Sequence, residues 1–382
     1  MASVQARHSR TCTSRKPWTP LAALDGCNCG PTFYVVVREG PKLSRERVGK
    51  SRREAERALT KIQAAEDDGS YQPVPNVRFE KWGLDWLDGL ERPSENTVNS
   101  YRPSVAYATQ AFGRKVVRKL SPSDVVAFLT LMREQKISDS TRAKHLRVLG
   151  ACLEAAVIDG KALRNPVRQL RPEAKPRPER KESAYFENEE LPRLFAELAD
   201  GVHRVLLELA LKTGMREGEL VALTWGDVDL TENQIHVRKS YTAGRLGETK
   251  NRERRAVSLT EDLVELLGEW WGQSGSREED ELVFPRERSG GYVPHWVLTR
   301  QVLYPAMKRA GVEREGPTGQ KRTFHSLRHT YAKRALETGR EITWLSKHLG
   351  HSSLKVTVDI YGHWSRAAAK QEAEKMLGVF GI

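Results

Sequence analysis

The chain has 382 residues, 38% hydrophobic and 30% charged, with 63 basic residues against 50 acidic ones and a formal charge of +13. That length predicts two or three domains with real apolar cores. No apolar stretch approaches the ~20 residues of a membrane span, and the first residues lack the apolar run of a secretory leader. A cytoplasmic protein with no membrane partner is expected. The excess charge is uneven: residues 183–382 carry 29 basic and 29 acidic residues, residues 1–182 carry 34 and 21. A basic front beside a balanced rear suggests a polyanion held mainly by the front.

In chain order, His8, Cys12, Cys27 and Cys29 come first. Two readings stay open for them, a zinc ligand set and a flexible N-terminus of about 30 residues, because the spacing matches no common zinc module. No metal is expected elsewhere. Phe33–Val37 and Arg45–Val48 read as strands. Ser51 and Glu54 form a capping box opening a helix with Ala55, Ala58, Leu59 and Ile62 on one face. This sheet-plus-helix segment ends near residue 68.

Residues 73–170 read as a helical domain. Phe79, Trp82, Trp86 and Leu87 start one helix and Asn96–Phe112 is a second. Ser121-Pro122-x-Asp124 opens a third with a cap, a first-position proline and an acid in the first turn. A fourth begins near Asp139 and carries Arg142, Lys144 and Arg147 on a basic face, which is a candidate DNA contact or simply a solvated surface. Residues 171–182 follow, including RPEAKPRPERK, with three prolines and five bases. Proline excludes a regular helix here, so this is a basic linker in which Arg177 could follow phosphates. Residues 183–382 are mostly helical, with one hairpin expected from Gln234–Tyr241 and Arg255–Leu259. The fold class is mainly α with small β elements.

Neither a P-loop nor a dinucleotide fingerprint nor His-Glu-x-x-His occurs, which directs attention to chemistry without nucleotide or metal. The last segment holds an ordered series: Thr213-Gly214-Met215-Arg216, Thr249-Lys250-Asn251 before a basic run with Arg252 and Arg254, His325-Ser326-Leu327-Arg328, Leu349-Gly350-His351, and Asp359-Ile360-Tyr361. His325 and Arg328 are three apart, hence on one helical face.

In this order, over about 150 residues, the series resembles the catalytic domain of the tyrosine recombinase and phage integrase family. Arg216, Lys250, His325, Arg328, His351 and Tyr361 fill the six positions of its pattern. The front of the chain matches in layout: an arm-type DNA-binding domain (1–68), a core-binding domain (73–170) and a catalytic domain (183–382).

The resemblance implies that Tyr361 attacks a DNA phosphate and forms a 3′-phosphotyrosyl link. It gives Arg216 and Arg328 the phosphate clamp, for which a rigid charged fork is suited. His325 becomes the base, Lys250 the proton donor to the 5′ oxygen, and His351 a hydrogen-bond partner of a non-bridging oxygen. Glu219, three after Arg216, orients that arginine. His329 and His363 receive packing or surface roles. The alternative for Lys250 is a basic hairpin tip, Lys250–Arg255 with Arg252 and Arg254, that touches backbone phosphates. No cofactor is implied. The implied partners are double-stranded DNA with core-type and arm-type sites, a homotetramer on that DNA, an excisionase and a DNA-bending host protein. The C-terminal tail Ala367–Ile382 would pack on a neighbouring protomer or fold back on its own domain. Two rivals remain: a type IB topoisomerase, which shares the chemistry without synapsis, and a DNA-binding regulator that kept the fold and lost the chemistry.

Overall fold

The structure is a computed structural model that describes residues 2–9, 12, 18–21, 29–39, 42–67, 75–179, 181–248, 255–275, 278–286 and 289–364. Lys250, Arg252, Arg254, Cys27 and the tail 367–382 lie outside the described residues. The chain divides into two compact units, Met1–Pro178 and Glu179–Ile382. No helix among the described residues is long and apolar enough to cross a membrane.

The first unit opens with a four-stranded antiparallel sheet in the order β2-β1-β3-β4, built from β1 (Ala2–Arg7), β2 (Trp18–Pro20), β3 (Thr32–Glu39) and β4 (Lys42–Gly49). The strands expected at Phe33–Val37 and Arg45–Val48 fall within β3 and β4. The first residues, expected to be flexible, instead supply β1, which lies along β3 from Ala2↔Val37 to Arg7↔Thr32. β1 alternates in burial, with Val4 and Ala6 inward. Its short apolar side chains gave a weaker strand signal than FYVVV. Helix α1 (Arg52–Asp67) starts where the Glu54 amide donates to Ser51 Oγ at 3.3 Å, and lays Ala55, Ala58, Leu59 and Ile62 on the sheet.

Four helices follow: α2 (Phe79–Asp88), α3 (Glu95–Phe112), α4 (Pro122–Glu134) and α5 (Asp139–Ile158). Their core comprises Phe79, Trp82, Phe112, Phe128, Met132, Leu149 and Leu153 among others. The α4 cap forms as expected, the Ser121 amide donating to Asp124 Oδ2 at 3.0 Å. Among the described residues of the proline-rich stretch, Pro172–Ala174 form one 3-10 turn.

The second unit is helical around two small sheets. Among the described residues its elements in order are α6 (Glu190–Ala196), α7 (Val202–Thr213), α8 (Glu217–Leu220), β5 (Val228–Asp229), β6 (Gln234–Val237), β7 (Lys239–Thr242), β8 (Arg245–Glu248), β9 (Arg255–Ser258), α9 (Glu261–Ser274), α10 (His295–Val297), a π turn (Leu298–Leu303), α11 (Tyr304–Arg309), α12 (His325–Glu337), α13 (Ile342–His348) and the helix α14 over 354–364. The expected long strand Gln234–Tyr241 is two strands: β6 pairs with β9, while β7 turns back on β8. Ala243 and Gly244 both have positive φ, 51° and 83°. That pair of values belongs to a two-residue hairpin turn of the type that suits strand twist. Alanine at its first position hid the signal.

Candidate active site

The site is assembled from ends of α7, α12 and α13 with Tyr361 of α14. Helix α7 stops at Gly214, whose left-handed φ of 64° turns the chain sharply. Arg216 then caps the short α8. Its backbone amide donates to Glu219 Oε2 at 2.9 Å, its Nη1 to Glu219 Oε1 at 2.9 Å, and its Nη2 to the Gly350 carbonyl at 2.5 Å.

Glu219 is 2% exposed and also grips Arg255 with both oxygens, at 2.9 and 2.7 Å. Burial pushes its carboxyl up, but the hydrogen bonds and charge of Arg255, then the charge of Arg216, prevail and hold it at about 2. Arg255 Nε donates to the His348 carbonyl at 2.9 Å, so one carboxylate ties α8 and β9 to the end of α13.

Arg328, on α12, is 2% exposed. Its Nη1 donates to the Gly214 carbonyl and its Nη2 to the Leu349 carbonyl, each at 2.7 Å, and Nη2 also lies 3.0 Å from His351 Nε2. A guanidinium only donates, so His351 Nε2 accepts. Its proton therefore sits on Nδ1, which donates to Thr357 Oγ1 at 2.7 Å. Comparison with Arg322, another buried arginine of this unit, is informative. Arg322 is bridged by both oxygens of Glu190, at 3.0 and 2.6 Å. The partners of Arg328 are two carbonyls, an imidazole and the Tyr361 phenol, and no carboxylate bonds to it among the described residues. A buried cation without a bonded counter-ion is costly; here burial and the charge of Arg216 lower its pKa to about 10, so it stays charged.

Tyr361 lies on α14 and is 1% exposed, its ring stacked on Trp364 in a small cluster with Ala332, Leu336, Leu345 and Leu349. Its hydroxyl is 2.8 Å from His329 Nδ1. Burial pushes the phenol to about 12 against the pull of the Arg328 charge and hydrogen bond. His329 meets His325 edge to face, centroids 4.8 Å apart. Desolvation, then neighbouring positive charge, lowers all three imidazoles: His325 to about 4, His329 and His351 to about 3. His325 keeps an exposed surface, so for it the charges of Arg328 and Arg216 carry more of the argument than burial does. All three are neutral at neutral pH.

The site can thus hold an anion against two guanidinium groups beside neutral imidazoles and a phenol. The sequence pattern of the phage integrase family matches residues 184–367, which contain the whole site. An integrase/recombinase of Escherichia coli is 32% identical over 331 residues, covering 76% of this chain and 91% of that relative.

The chain belongs to the phage integrase family of tyrosine recombinases.

It is accordingly a DNA strand-transferring enzyme. Solved structures share the recombinase fold. The Tn1549 transposon integrase, in complex with a circular intermediate DNA, matches with a TM-score of 0.67 at 18% identity, over 78% of this chain and 99% of that one. A lambda integrase dimer bound to a COC′ core site matches with a TM-score of 0.59 at 18% identity, over 88% and 93%.

Of the recombinase's six expected positions, Arg216, His325, Arg328, His351 and Tyr361 come together; Lys250 lies outside the described residues. Glu219 bonds Arg216 and is shared with Arg255, a residue that the sequence placed at the basic tip and strand of a hairpin, with no link to Glu219. His329, read as packing or surface, bonds the tyrosine hydroxyl. His363 lies 3.6 Å from Glu182 by its Nε2. On α5, Lys144 and Arg147 are exposed, whereas Arg142 has 13% of its side chain exposed and is paired with Asp139. Arg142 and the exposed Arg177 line one cleft with Arg133, Lys175, Asp139 and Glu173.

Proposed function

We propose that this recombinase cuts and rejoins double-stranded DNA through a 3′-phosphotyrosyl intermediate on Tyr361, integrating a phage or other mobile element. The observation that carries the reading is Arg328: a buried, charged guanidinium beside Arg216 and Tyr361 with no bonded carboxylate among the described residues. A phosphodiester would provide the missing negative charge, and donors fixed before the reaction stabilise the extra charge of its transition state.

The phenolic oxygen attacks phosphorus, the bond from phosphorus to the 5′ oxygen breaks, and the phosphate stays on Tyr361. His325 takes the phenolic proton; a bound phosphate would raise its pKa from about 4 towards a useful range. Lys250 protonates the leaving 5′ oxygen. His351, whose Nε2 faces Arg328, orients that fork; donating to a phosphate oxygen would require its Nε2–H form. A 5′-hydroxyl of a second duplex then attacks the phosphotyrosyl phosphorus, restores the phenol and seals a new junction. The link conserves the energy of the broken bond, so no nucleotide is consumed.

Exchange between two duplexes needs four such sites, hence a homotetramer on DNA, and the dimeric state of lambda integrase on its core site supports assembly of several protomers. Residues 73–170 would hold core-type DNA with Lys144 and Arg147, and residues 1–68 arm-type sites, with an excisionase and a DNA-bending host protein setting direction at the nucleoid.

The test is a suicide substrate nicked near the cleavage point. Wild type should form a covalent adduct and Tyr361→Phe should form none while binding equally. Equal binding with no adduct from either protein would make the chain a DNA-binding regulator. Relaxation of plasmids lacking a defined site would make it a type IB topoisomerase.

A further inference from the structure

The sheet of the first unit carries a second cluster of chemically capable side chains, remote in sequence from the recombination residues. His8 follows the last residue of β1. A turn in which the Cys12 amide donates to the Ser9 carbonyl at 3.1 Å brings Cys12 back over it. Cys29 arrives from the approach to β3, the strand paired with β1. His8 Nδ1 lies 3.3 Å from Cys29 Sγ and 3.5 Å from Cys12 Sγ, and all three donor atoms fall within 4.8 Å of one another.

We propose that His8, Cys12 and Cys29 bind a zinc ion that closes the open end of this sheet. Zinc takes sulfur at ~2.3 Å and nitrogen at ~2.0–2.1 Å in tetrahedral geometry. Adjacent nitrogen and sulfur ligands then stand about 3.6 Å apart, close to the two separations observed. The imidazole is already oriented for the task. Its Nε2 lies 3.0 Å from Thr19 Oγ1 on β2. Donation from Nε2–H to that hydroxyl leaves the Nδ1 lone pair facing the sulfurs, the outer hydrogen bond that fixes a metal-binding tautomer. The two thiols would bind as thiolates, releasing two protons. The sequence places a third thiol, Cys27, two positions before Cys29, and a fourth vertex is open to a further donor or water.

The fold gives such an ion something to do. Among the described residues, the core between this sheet and α1 is built of Val4, Ala6, Phe33, Val35, Val37 and Ala55, two of them alanines. A core of that size is marginal on its own, and small units commonly add a metal or cross-link. The ion would tie the end of β1 to β2 through Thr19 and to the entry of β3, so its binding free energy becomes folding free energy of the sheet.

The experiment is elemental analysis of the full chain purified with reductant and without chelator. One zinc per chain is expected, lost in Cys12→Ser and in Cys29→Ser and kept in Cys152→Ser, whose thiol is buried in the helical core. Because a ligand variant can simply misfold, wild type is also loaded with Co(II). Thiolate-to-cobalt charge transfer and the intense visible bands of a tetrahedral ion are expected. Stripping zinc should remove amide-exchange protection from β1–β4 while α2–α5 keep theirs. Trace zinc with no tetrahedral cobalt spectrum, or recovery of Cys12 and Cys29 as a disulfide under reductant, would overturn the proposal.

Discussion

The hydroxyl of Tyr361 lies 2.8 Å from Nδ1 of His329, inside the fold, with the tyrosine 1% exposed. With its proton on Nε2, the neutral imidazole accepts the phenolic hydrogen through Nδ1, while burial keeps the nucleophile protonated, at a pKa of about 12. Attack on phosphorus removes the phenolic proton that His329 accepts, so giving up that bond is part of the path to attack. The bond that orders the tyrosine is also one that must break.

Replacing His329 by Phe keeps a ring for packing and removes the acceptor. One net hydrogen bond is worth about 1 kcal/mol, so single-turnover cleavage of a suicide substrate should rise roughly 3–10-fold, at unchanged DNA affinity. His325→Ala should instead lower it by ~10²–10⁴, the range of a lost general base. The opposite pattern, with His329→Phe inactive and His325→Ala near wild type, would transfer the base role to His329.

Glu219→Gln tests whether one carboxylate organises the guanidinium side of the site. It removes the charge that Arg216 and Arg255 share in a buried setting. Breaking such a pair costs about 3–5 kcal/mol, read as a lower urea midpoint. Arg216 also loses its anchor, so adduct formation should fall further than stability explains when both are measured where the variant remains folded. A variant as stable and as active as wild type would show that Glu219 does neither job.

The parts of this site that could be read in the sequence are those fixed by local rules. Gly214 before Arg216, the spacing of His325 and Arg328 on one helix, and the order of the six positions all follow from short stretches. Arg255 and His329 were not legible, because their roles come from partners 36 and 32 positions away. The fold divides in the same way. The caps of α1 and α4 were readable from four residues each. β1 was missed because its strand character comes from lying along β3, and β8 because an Ala-Gly turn carries little signal.

Gly214→Ala should separate positioning from binding. The residue has φ of 64°, and an added Cβ would fall 2.6 Å from Tyr331 Cδ1 and 3.0 Å from Leu349 Cδ2. The left-handed backbone and the clash together should cost roughly 1–3 kcal/mol. The Gly214 carbonyl accepts from Arg328, so cleavage should drop at least ~10-fold, about 1.4 kcal/mol of barrier, while DNA affinity in a gel-shift assay is largely kept. Loss of affinity matching the loss of cleavage would place Gly214 in binding instead.

Acid should weaken the catalytic unit well before carboxylates such as Glu219 titrate. His325, His329 and His351 have folded pKa values of about 4, 3 and 3, against ~6.5 unfolded. Between those values the unfolded chain binds more protons, so stability rises with pH and is lost as pH falls from about 6.5. Glu217 acts in the opposite sense: burial raises its carboxyl to about 7. Its contribution is present at low pH and lost as pH climbs from the unfolded ~4.3 through that value. Three imidazoles outweigh one carboxyl, so the net slope between about pH 4.5 and 6.5 is positive. Urea midpoints across that window should therefore increase with pH. His351→Gln should flatten the rise by removing one histidine, and Glu217→Gln should steepen it by removing the opposing group. A midpoint that is flat or falls towards neutrality in wild type would mean that the site holds these imidazoles charged, leaving His325 unable to accept the proton of Tyr361.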